Sequence, residues 1–498
     1  MGNSNEETLT LPTGKTIKIQ TGLFIDNEFV ESVDGKRFVT IDPSTEGVIT
    51  TVAEASSKDV DLAVEAATKA FSNVWCHIDG KERGKLLNKL ADLMERNLDD
   101  LAALETLDNG KAFSITKTID LPEAIRCYRY FAGWCDKVHG KVIETQNDKF
   151  CYTRNEPLGV CGAIVPWNFP ISLMANKIAP ALACGNTVIL KTAEQTPLSS
   201  LKVAELCKEA GFPKGVINVL SGFGSTGTVM ANHMKIDMIT FTGSTEVGKS
   251  IQKAAAESNL KRVLLELGGK SPSIIFADSN LDTAVKFTFN GSFFNHGQFC
   301  VAATRIYVEE HVYDEFLKKF KTDAEAIKIG NPFESKIYQG PQISRKQFDR
   351  IMSYIKTGKE EGATLLMGGE RHGERGFYIK PTIFTDVIEN MTIMQDEIFG
   401  PVTCIAKFKT IDEVIEKANL TKYGLAAAVF TNNIIKAVKL SKEIKAGTVW
   451  VNQYMEGDSS LPFGGYKQSG IGREMGKYAL REHTQVKTVQ INLETNCN

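Results

Sequence analysis

The amino-acid sequence predicts an α/β protein built around a doubly wound parallel sheet, with a second α/β unit and a small separate set of β-strands. Three observations lead to this prediction. Short apolar runs alternate with helical segments from Gly159 to Ala277, the alternation continues less regularly from Phe287 to about Gly470, and two strand-like segments fit neither half. Apolar strands separated by helices are typical of parallel strands covered on both faces. Right-handed crossovers then wind the sheet in both directions.

The first part of the chain is expected to combine short strands with two helical segments. Residues Gly22–Glu28 offer a turn between two apolar stretches. Behind a cap region at Ser56–Asp59, apolar residues recur at helical spacing from Val60 to Phe71. The same spacing predicts helix from Leu86 to Leu104.

The regular central part predicts both the strands and the helices of the doubly wound sheet. The predicted strands are Val160–Val165, Thr187–Leu190, Val216–Leu220, Met238–Thr242, Val263–Leu265 and Ser273–Phe276. The predicted helices are Ser172–Ala183, Ser199–Ala210 and Val247–Ser258.

The second α/β stretch offers fewer clear elements. Its strand candidates are Ile306–Val308, Ala426–Phe430 and Thr448–Val451, and its helix candidates are Val312–Ile327 and Ile411–Ala418.

Two segments are left over as unpaired strand candidates. Val142–Thr153 resembles a hairpin that turns at Gln146–Asp148. Near the C-terminus, Val489, Ile491 and Leu493 alternate with polar residues, which predicts a half-buried strand. Such strands commonly pair with another chain, so the two segments predict an oligomer arm.

Composition narrows the function classes. The 498 residues carry a formal net charge of −2 and the pI is near 6.4, which gives no electrostatic case for nucleic acid or an anionic membrane. No apolar run reaches the roughly 20 residues of a membrane-spanning helix. The ten cysteines form no CxxC pair, and the polar, acidic first ten residues resemble neither a signal peptide nor a transit peptide. We therefore expect a cytoplasmic protein with free thiols.

One glycine loop fits the phosphate-binding pattern of nucleotide triphosphatases. Residues Gly243–Ser250 match GxxxxGK[ST] between a strand and a helix, and Asp278 could supply a magnesium ligand. Against that function, Glu246 places a carboxylate inside the loop, where phosphate oxygens should face N–H groups. The narrower expectation is a diphosphate site at a helix N-terminus.

A second glycine loop, Gly222–Gly227, matches GxGxxG and also follows a strand, although a plain tight turn fits equally well. Both loops fall on successive βα turns at one edge of the sheet. Together they suit a dinucleotide better than either does alone.

Cys300 and Glu266 are the residues most suggestive of catalysis. Gly297 and Gln298 precede Cys300, which favours a turn that presents the thiol rather than a packed face. His296 suggests a Cys–His nucleophile or a metal pair, but no further Cys/His cluster supplies ligands, so no metal is expected. Glu266 follows a strand at its carboxyl end, where ligands meet such sheets, although a solvated loop residue is an equal alternative.

Seven segments together resemble the aldehyde dehydrogenase superfamily, the NAD(P)-dependent enzymes that oxidise aldehydes to carboxylic acids. They are PWNFP at 166–170, KTAEQTP at 191–197, FTGST at 241–245, LELGGKSP at 265–272, GQFC at 297–300, EIFGP at 397–401 and PFGGYK at 462–467. The resemblance covers nearly the whole chain and is greatest to the cytosolic and mitochondrial tetrameric enzymes of broad specificity. A triphosphatase that uses residues 243–250 remains the second hypothesis. A non-enzymatic structural relative is a third, and the intact Cys300, Glu266 and Asn168 argue against it.

The resemblance implies a role for each matching residue. Cys300 would be the nucleophile, Glu266 the general base, and Asn168 an oxyanion donor beside the Cys300 N–H; Glu474 would assist a proton relay. The implied cofactor residues are Ile164, Pro166, Trp167, Lys191, Glu194, Gly224, Gly243, Ser244, Glu397 and Phe399. Since a carboxylate at Glu194 would repel a 2′-phosphate, NAD is expected over NADP.

The chain departs from the family pattern mainly in the substrate tunnel. The aligned tunnel residues are Phe169, Leu173, Asn176, Tyr454, Gly457 and Phe463. Asn176 and Gly457 stand where some relatives that act on small aldehydes carry bulky aromatics. A wider entrance follows, and with it a preference for medium or bulky apolar aldehydes.

The resemblance also implies a division of the chain. A Rossmann-like NAD-binding domain would comprise residues 1–134 and 158–268, and an α/β catalytic domain residues 269–475. A small β oligomerisation arm would comprise residues 135–157 and 476–498. The expected assembly is a homotetramer or a homodimer.

Overall fold

The computed structural model describes residues 5–493 as a mixed α/β chain. Its strands are β1 Glu6–Thr10, β2 Thr16–Gln20, β3 Leu23–Ile25, β4 Glu28–Val30, β5 Arg37–Asp42, β6 Gly47–Ala53, β7 Val142–Ile143, β8 Lys149–Pro157, β9 Val160–Ile164, β10 Thr187–Thr192, β11 Ile217–Ser221, β12 Met238–Thr242, β13 Arg262–Glu266, β14 Ser271–Ile275, β15 Ala303–Glu309, β16 Thr364–Met367, β17 Thr382–Thr385, β18 Val402–Phe408, β19 Ala426–Phe430, β20 Thr448–Val451, β21 Gly470–Ile471 and β22 Thr484–Asn492. Its α-helices are α1 Ser57–Asn73, α2 Gly80–Arg96, α3 Leu98–Asn109, α4 Phe113–Ile115, α5 Leu121–Ala132, α6 Pro170–Ala183, α7 Leu198–Ala210, α8 Gly224–Asn232, α9 Thr245–Glu257, α10 Leu281–Phe293, α11 Tyr313–Glu325, α12 Arg345–Glu360, α13 Thr392–Gln395, α14 Ile411–Asn419, α15 Ile434–Glu443 and α16 Gly476–Glu482.

The first large sheet is doubly wound, as the alternating pattern predicts. Its eight strands lie in the order β21-β13-β12-β9-β10-β11-β3-β4, and β9 to β13 run parallel. Chain order reverses between β9 and β12, so a crevice opens there beyond the carboxyl ends of the strands. In sheets of this topology ligands bind at that point.

Helices cover both faces of this sheet because the strands are apolar throughout. On one face α6 and α7 bury residues such as Met174 and Leu201, with α2, α3 and α5 packed behind them. On the other face α1, α8 and α9 bury residues such as Val64, Met230 and Ile251.

The second sheet has seven strands in the order β16-β17-β18-β15-β14-β19-β20, all parallel except β16. Helices α10 and α11 cover one face, and α12 to α15 cover the other. The predicted strand at Ser273–Phe276 belongs here, as β14, rather than to the first sheet, so the regular alternation crosses from one sheet into the next.

The predicted helix from Leu86 to Leu104 is interrupted. Helix α2 ends at Arg96, and α3 begins at Leu98. Between them the side chain of Asn97 turns back and donates a hydrogen bond to the Leu93 carbonyl at 2.7 Å. Asparagine competes for backbone groups in this way, which periodicity alone does not reveal.

The two leftover strand segments pair with each other within the chain. The hairpin forms as β7 and β8, and β22 adds to β8 with Val489 opposite Tyr152. The expected half-buried alternation in β22 is wrong for the isolated chain, because Ile491 is 43% exposed and the following Leu493 is 54% exposed. This three-stranded sheet presents apolar side chains that no described residue covers.

Two further expectations concern cysteines and membranes. Nine cysteines lie within the described residues and none of them forms a disulfide, whereas Cys497 lies outside those residues. Within residues 5–493, no helix combines the length and the apolar character needed to cross a bilayer.

Candidate active site

A cavity of about 1000 Å³ lies at the junction of the two large sheets. It collects most of the residues that the sequence singles out, from segments far apart in the chain. Those in its lining are Pro166, Trp167, Asn168, Phe169, Leu173, Asn176, Gly243, Ser244, Glu266, Cys300, Glu397, Phe399, Tyr454, Gly457, Phe463 and Glu474.

Four predicted residues lie outside this lining but at the same edge of the first sheet. Ile164 and Lys191 lie in β9 and β10, Glu194 follows β10, and Gly224 begins α8. A Cβ atom built on Gly227, in the first turn of α8, would lie 3.6 Å from Ile164 Cδ1 and 3.7 Å from Lys191 Cδ. The first turn of α8 therefore packs against the ends of β9 and β10.

Cys300 follows a turn with unusual backbone geometry. Asn295, His296 and Gly297 have φ angles of 47°, 60° and 71°, a left-handed run that side chains other than glycine rarely adopt. A Cβ atom on Gly297 would lie 2.0 Å from the Gly400 carbonyl oxygen, so only glycine fits there. The turn leaves the Cys300 side chain at the cavity surface and partly exposed.

His296 is not a catalytic partner of Cys300. Its Nδ1 lies 2.9 Å from the Pro341 carbonyl oxygen, and its Nε2 accepts a hydrogen bond from the Gly340 N–H at 2.9 Å. Burial lowers the pKa of His296 to about 3. The ring is a neutral structural bridge, which excludes the Cys–His and metal-pair hypotheses for it. No group of three or more His, Cys, Asp or Glu side chains among residues 5–493 is arranged to hold a metal ion.

The surroundings of Cys300 disfavour the thiolate form of its side chain. Burial raises its pKa above the ordinary range, and the nearby carboxylates of Glu397 and Glu266 raise it further. Forming a thiolate here requires a compensating positive charge.

Asn168 is held next to the turn that carries Cys300. Its Nδ2 donates to the Gln298 carbonyl at 3.0 Å, and its own carbonyl accepts from Asn295 Nδ2 at 3.1 Å. An amide nitrogen carries two hydrogens, so one donor of Asn168 is left for the cavity. Its Oδ1 is buried without a partner among the described residues.

Glu266 ends β13 and lies almost fully buried against the cavity. Neither carboxyl oxygen has a hydrogen-bond partner within the described chain. Burial raises the pKa of Glu266 well above its usual value, and the charge of Glu474 raises it further. A carboxyl group in this setting can accept a proton near neutral pH, which is what a general base requires. The alternative of a solvated loop residue is wrong.

Glu474 is paired with a lysine that the sequence analysis missed. Lys177 Nζ donates to Glu474 Oε1 at 2.5 Å and to Thr240 Oγ1 at 3.0 Å, and both members of the ion pair are buried. The sequence did contain a signal, because Lys177 is the one charged residue in the mainly apolar helix α6. Such residues are rarely buried without a specific partner.

Glu397 and Phe399 form the far end of the cavity. Glu397 Oε1 accepts from the Gly269 N–H at 3.0 Å, and burial raises the pKa of Glu397 to about 7. Phe399 has a φ angle of 59°, and its ring meets that of Trp167 edge-on at 5.3 Å. Two aromatic rings and a carboxyl group thus line the crevice at the point where the strand order of the first sheet reverses.

The loop from Gly243 begins a helix, as expected, but it is not arranged as a triphosphate site. Ser244 caps α9 and accepts from the Val247 N–H at 3.3 Å. Lys249 Nζ is directed to Gln468 Oε1 at 3.0 Å, and Ser250 bonds within its own helix. Asp278 accepts from Thr431 beside the second sheet, at 2.7 Å. The groups that would bind a triphosphate and magnesium are therefore dispersed.

Lys191 and Glu194 lie beside the first sheet without forming an ion pair to each other. Lys191 Nζ donates to the Thr192 carbonyl at 2.9 Å, and burial lowers the pKa of Lys191 to about 8. Within the described part of the chain, the Glu194 side chain accepts a hydrogen bond only from Gln195 Nε2, at 3.0 Å. Both side chains retain hydrogen-bonding capacity for a ligand.

The opposite arm of the cavity is a largely aromatic tunnel. Phe169 stacks on Phe294 with ring centroids 6.3 Å apart, and Lys111 Nζ lies 3.8 Å from the centre of the Phe169 ring. The Tyr454 hydroxyl donates to the Val301 carbonyl at 2.7 Å, so it also holds the backbone next to Cys300. The sequence patterns did not reveal four charged or polar lining residues: Ser114, Asp120, Glu123 and Arg126.

Comparison with known proteins places this geometry in context. The model of the aldehyde dehydrogenase family matches residues 29–489. An aldehyde dehydrogenase of Emericella nidulans is 58% identical over 95% of both chains, and the mitochondrial aldehyde dehydrogenase of Mesocricetus auratus is 54% identical over 95% of both chains. The NAD⁺ complex structure of aldehyde dehydrogenase from Bacillus cereus is 47% identical with a TM-score of 0.94, covering 95% of this chain and 97% of that one.

Proposed function

The chain belongs to the aldehyde dehydrogenase family and is an NAD-dependent enzyme that oxidises aldehydes to carboxylic acids. On this premise, we propose which of its residues carry out the reaction. Cys300 is the nucleophile, Asn168 stabilises the oxyanion and Glu266 activates water. The observation that carries this assignment is their convergence on one cavity from three separate segments.

A nucleophile is needed because a free aldehyde is a poor hydride donor. Loss of hydride would leave an acylium cation. Once the thiol has lost its proton, addition of the Cys300 sulfur to the carbonyl carbon gives a tetrahedral alkoxide, whose oxygen lone pair can drive hydride away and leave a thioester. When bound, NAD⁺ would supply the hydride acceptor and a positive charge that favours the thiolate.

Asn168 stabilises the alkoxide. Its free amide hydrogen and the N–H of Cys300 are the donors that the developing oxyanion requires. Removing one such donor typically lowers the rate by about 10²–10³. Because its other hydrogen is bonded to Gln298, the amide is fixed before the aldehyde arrives.

Glu266 then removes a proton from water as the water oxygen attacks the thioester carbon. Collapse of the adduct breaks the carbon–sulfur bond, releases the carboxylic acid and returns the Cys300 thiolate. Glu474 lines the same cavity, and its charge acts on Glu266, so we assign it to relay the proton away from Glu266, while Lys177 holds Glu474 in place by donating to its Oε1.

The direct experiment follows NADH formation from an aldehyde. Wild-type enzyme is expected to produce NADH steadily, and Cys300→Ala is expected to produce none. An unchanged rate in Cys300→Ala would overturn the assignment. ATP hydrolysis measured alongside tests the triphosphatase alternative, and we expect none.

The residues beside the crevice between β9 and β12, where the strand order reverses, suit the binding of NAD. Gly243 and Ser244 face the crevice at the start of α9, where a helix N-terminus favours the diphosphate. Trp167 is assigned a place near the diphosphate, and Glu397 and Phe399 are assigned to the nicotinamide end. Lys191 and Glu194 are assigned to the adenosine ribose, and Ile164, Pro166 and Gly224 complete the set of cofactor residues.

Glu194 is expected to make the enzyme prefer NAD to NADP. Its carboxylate can accept hydrogen bonds from ribose hydroxyls and would repel a 2′-phosphate. We expect kcat/KM to be higher with NAD than with NADP. Glu194→Gln should reduce the ratio of the two kcat/KM values. Equal values for the two cofactors in the wild-type enzyme would contradict this role.

The tunnel favours medium or bulky apolar aldehydes. Phe169, Leu173, Tyr454 and Phe463 supply apolar walls, and Gly457 adds no side-chain bulk. We expect kcat/KM to rise from acetaldehyde to octanal and to an aromatic aldehyde. A value for acetaldehyde far above the other two would refute this preference.

Three sheets support the proposed division of the chain. Residues 1–134 and 158–268 form the NAD-binding domain, 269–475 the catalytic domain, and 135–157 with 476–498 the oligomerisation arm. Strands β3, β4 and β9 to β13 share one sheet, β14 to β20 a second, and β7, β8 and β22 a third. Strand β21 is the exception, since it returns from the catalytic segment to the first sheet.

The exposed three-stranded sheet supports a homotetramer or homodimer built through this arm. Val486 is 68% exposed and Ile491 is 43% exposed, which is unusual for apolar residues of a strand. We expect Val486→Glu, or removal of residues 482–498, to lower the native mass measured by light scattering. Val48→Glu, at a residue 66% exposed on another hairpin, is the matched control. An unchanged mass after truncation would count against the arm.

We assign the enzyme to the cytoplasm, or to another reducing compartment. The nine described cysteines are free, and the proposed nucleophile must stay reduced to react. Because one relative is mitochondrial, fractionation of cells is the experiment that decides.

A further inference from the structure

Asn295 joins two backbone carbonyls that flank the proposed chemistry. Its Nδ2 donates to the Asn168 carbonyl at 3.1 Å and to the Gln298 carbonyl at 3.2 Å. Asn295 is buried, and so are both of its partners. One residue thereby ties the segment after β9 to the turn that ends at Cys300.

These contacts close a ring of hydrogen bonds around the oxyanion donor. The Gln298 carbonyl that receives Asn295 also receives the Asn168 side chain, at 3.0 Å. Asn109 supports the same segment from the other side, with its Nδ2 at 2.5 Å from the Trp167 carbonyl. The peptide carbonyl of Asn168 and its side-chain amide are therefore both fixed by groups that touch no substrate.

The backbone of Asn295 makes the arrangement specific. Its φ angle of 47° lies in the left-handed region, where asparagine is tolerated better than most residues. The Gln298 N–H returns to the Asn295 carbonyl at 2.9 Å and closes the turn. An asparagine here can adopt the required backbone and still extend a two-hydrogen donor across to Asn168.

We propose that Asn295 is a positioning residue that fixes the orientation of the Asn168 amide relative to Cys300, and that it acts on the reaction only through Asn168. The inference rests on the proposed oxyanion role of Asn168. Asn295 itself does not line the cavity. Its contribution is to hold one Asn168 hydrogen on Gln298, so that the other remains directed to the developing alkoxide.

The test is a double-mutant cycle between Asn295→Gly and Asn168→Ala. Glycine retains the left-handed backbone and removes the donor. We expect Asn295→Gly to lower kcat by about 10–100-fold, less than loss of the oxyanion donor itself, with KM for NAD unchanged. The rate of Cys300 alkylation by iodoacetamide should stay within about twofold of wild type. In the Asn168→Ala background the same substitution should have almost no effect on kcat.

The outcomes separate this inference from the proposed function. If Asn295→Gly lowers kcat equally in both backgrounds, or leaves kcat unchanged in the wild-type background, the positioning role is wrong. If Asn168→Ala itself keeps full kcat, the oxyanion assignment fails instead. Should Asn295→Gly not fold, Asn295→Asp replaces it, since aspartate has the same shape and tolerates the same backbone but offers an acceptor in place of the donor.

Discussion

The buried pair of Lys177 and Glu474 should control the pH at which Glu266 acts as a base. Glu474 raises the pKa of Glu266, and Lys177 lowers it. The pair is held at 2.5 Å, where the gross attraction is about 7 kcal/mol at an effective dielectric constant of about 20. At Glu266 the two charges act in opposite directions, so removing either partner leaves the effect of the other uncompensated.

The two single substitutions should therefore have opposite effects. A unit charge a few ångströms away shifts a carboxyl pKa by about 1–3 units, and solvent in the cavity should keep the shift near the lower figure. Glu474→Gln leaves the lysine and should lower the pKa of Glu266 by about one unit. Lys177→Met leaves the carboxylate and should raise it, while destabilising the fold by about 3–5 kcal/mol.

The assay is the pH profile of kcat. A base must be ionised to act, so activity falls as pH drops through its pKa and the acid limb reports Glu266. We expect this limb to move to lower pH in Glu474→Gln, to higher pH in Lys177→Met, and back towards wild type in the double variant. Glu266→Gln, which should show no steady turnover at any pH, is the control that Glu266 is the base. A shift of both single variants in the same direction, or of neither, would refute the reasoning.

Three further predictions follow. Glu266→Gln should abolish steady turnover but retain a single burst of NADH in rapid mixing, and loss of the burst would show that Glu266 also acts before thioester hydrolysis. The same substitution should raise the midpoint of thermal unfolding, because it removes a buried carboxyl group that has no hydrogen-bond partner. In the folded protein His296 binds a proton only below about pH 3, whereas the unfolded imidazole binds one below about pH 6.5. Between these values the free energy of unfolding therefore falls as pH falls, by up to about 1.4 kcal/mol per pH unit. Urea titrations of His296→Gln should show a smaller dependence of this free energy on pH, and an equal dependence would contradict the prediction. Lys111→Met removes the cation behind Phe169 and should change KM for an aromatic aldehyde more than KM for acetaldehyde, whereas equal changes would indicate a general loss of structure.

Sequence patterns predicted the first sheet well because its strands are buried on both faces and its helices are regular. The second sheet was harder. Strands β16, β17 and β18 and helices α12 and α15 have no counterpart among the predicted elements. Strands β16 and β17 have four residues each, too few for a distinctive period. Helix α12 was overlooked, although its buried Phe348, Ile351 and Ile355 recur at helical spacing. The Ser273–Phe276 strand was recognised, but local periodicity contains no information about which sheet a strand joins.

Among the residues of the candidate site, those that belong to sequence motifs were predicted and those that act through spatial contacts were not. Motifs brought Cys300, Glu266 and Asn168 to attention, and the structure places all three in one cavity. Residues that act behind the site were not predicted. Asn295 is recognisable only by its partners in space, whereas Lys177 could have been suspected from its charge inside the mainly apolar helix α6. His296 is the opposite case. Its spacing from Cys300 suggested a chemical pair, but in the structure both of its ring nitrogens contact backbone groups instead.

The return of β21 to the first sheet has a consequence for biosynthesis. The strand that ends in Glu266 receives its outer neighbour only from the last part of the chain, with Gly470 opposite Glu266 and Ile471 opposite Leu265. While the ribosome still holds those residues, β13 is an open edge and the cavity lacks a wall. Activity should consequently appear after release of the full-length polypeptide, and chains arrested before residue 470 should expose a sheet edge that chaperones can bind.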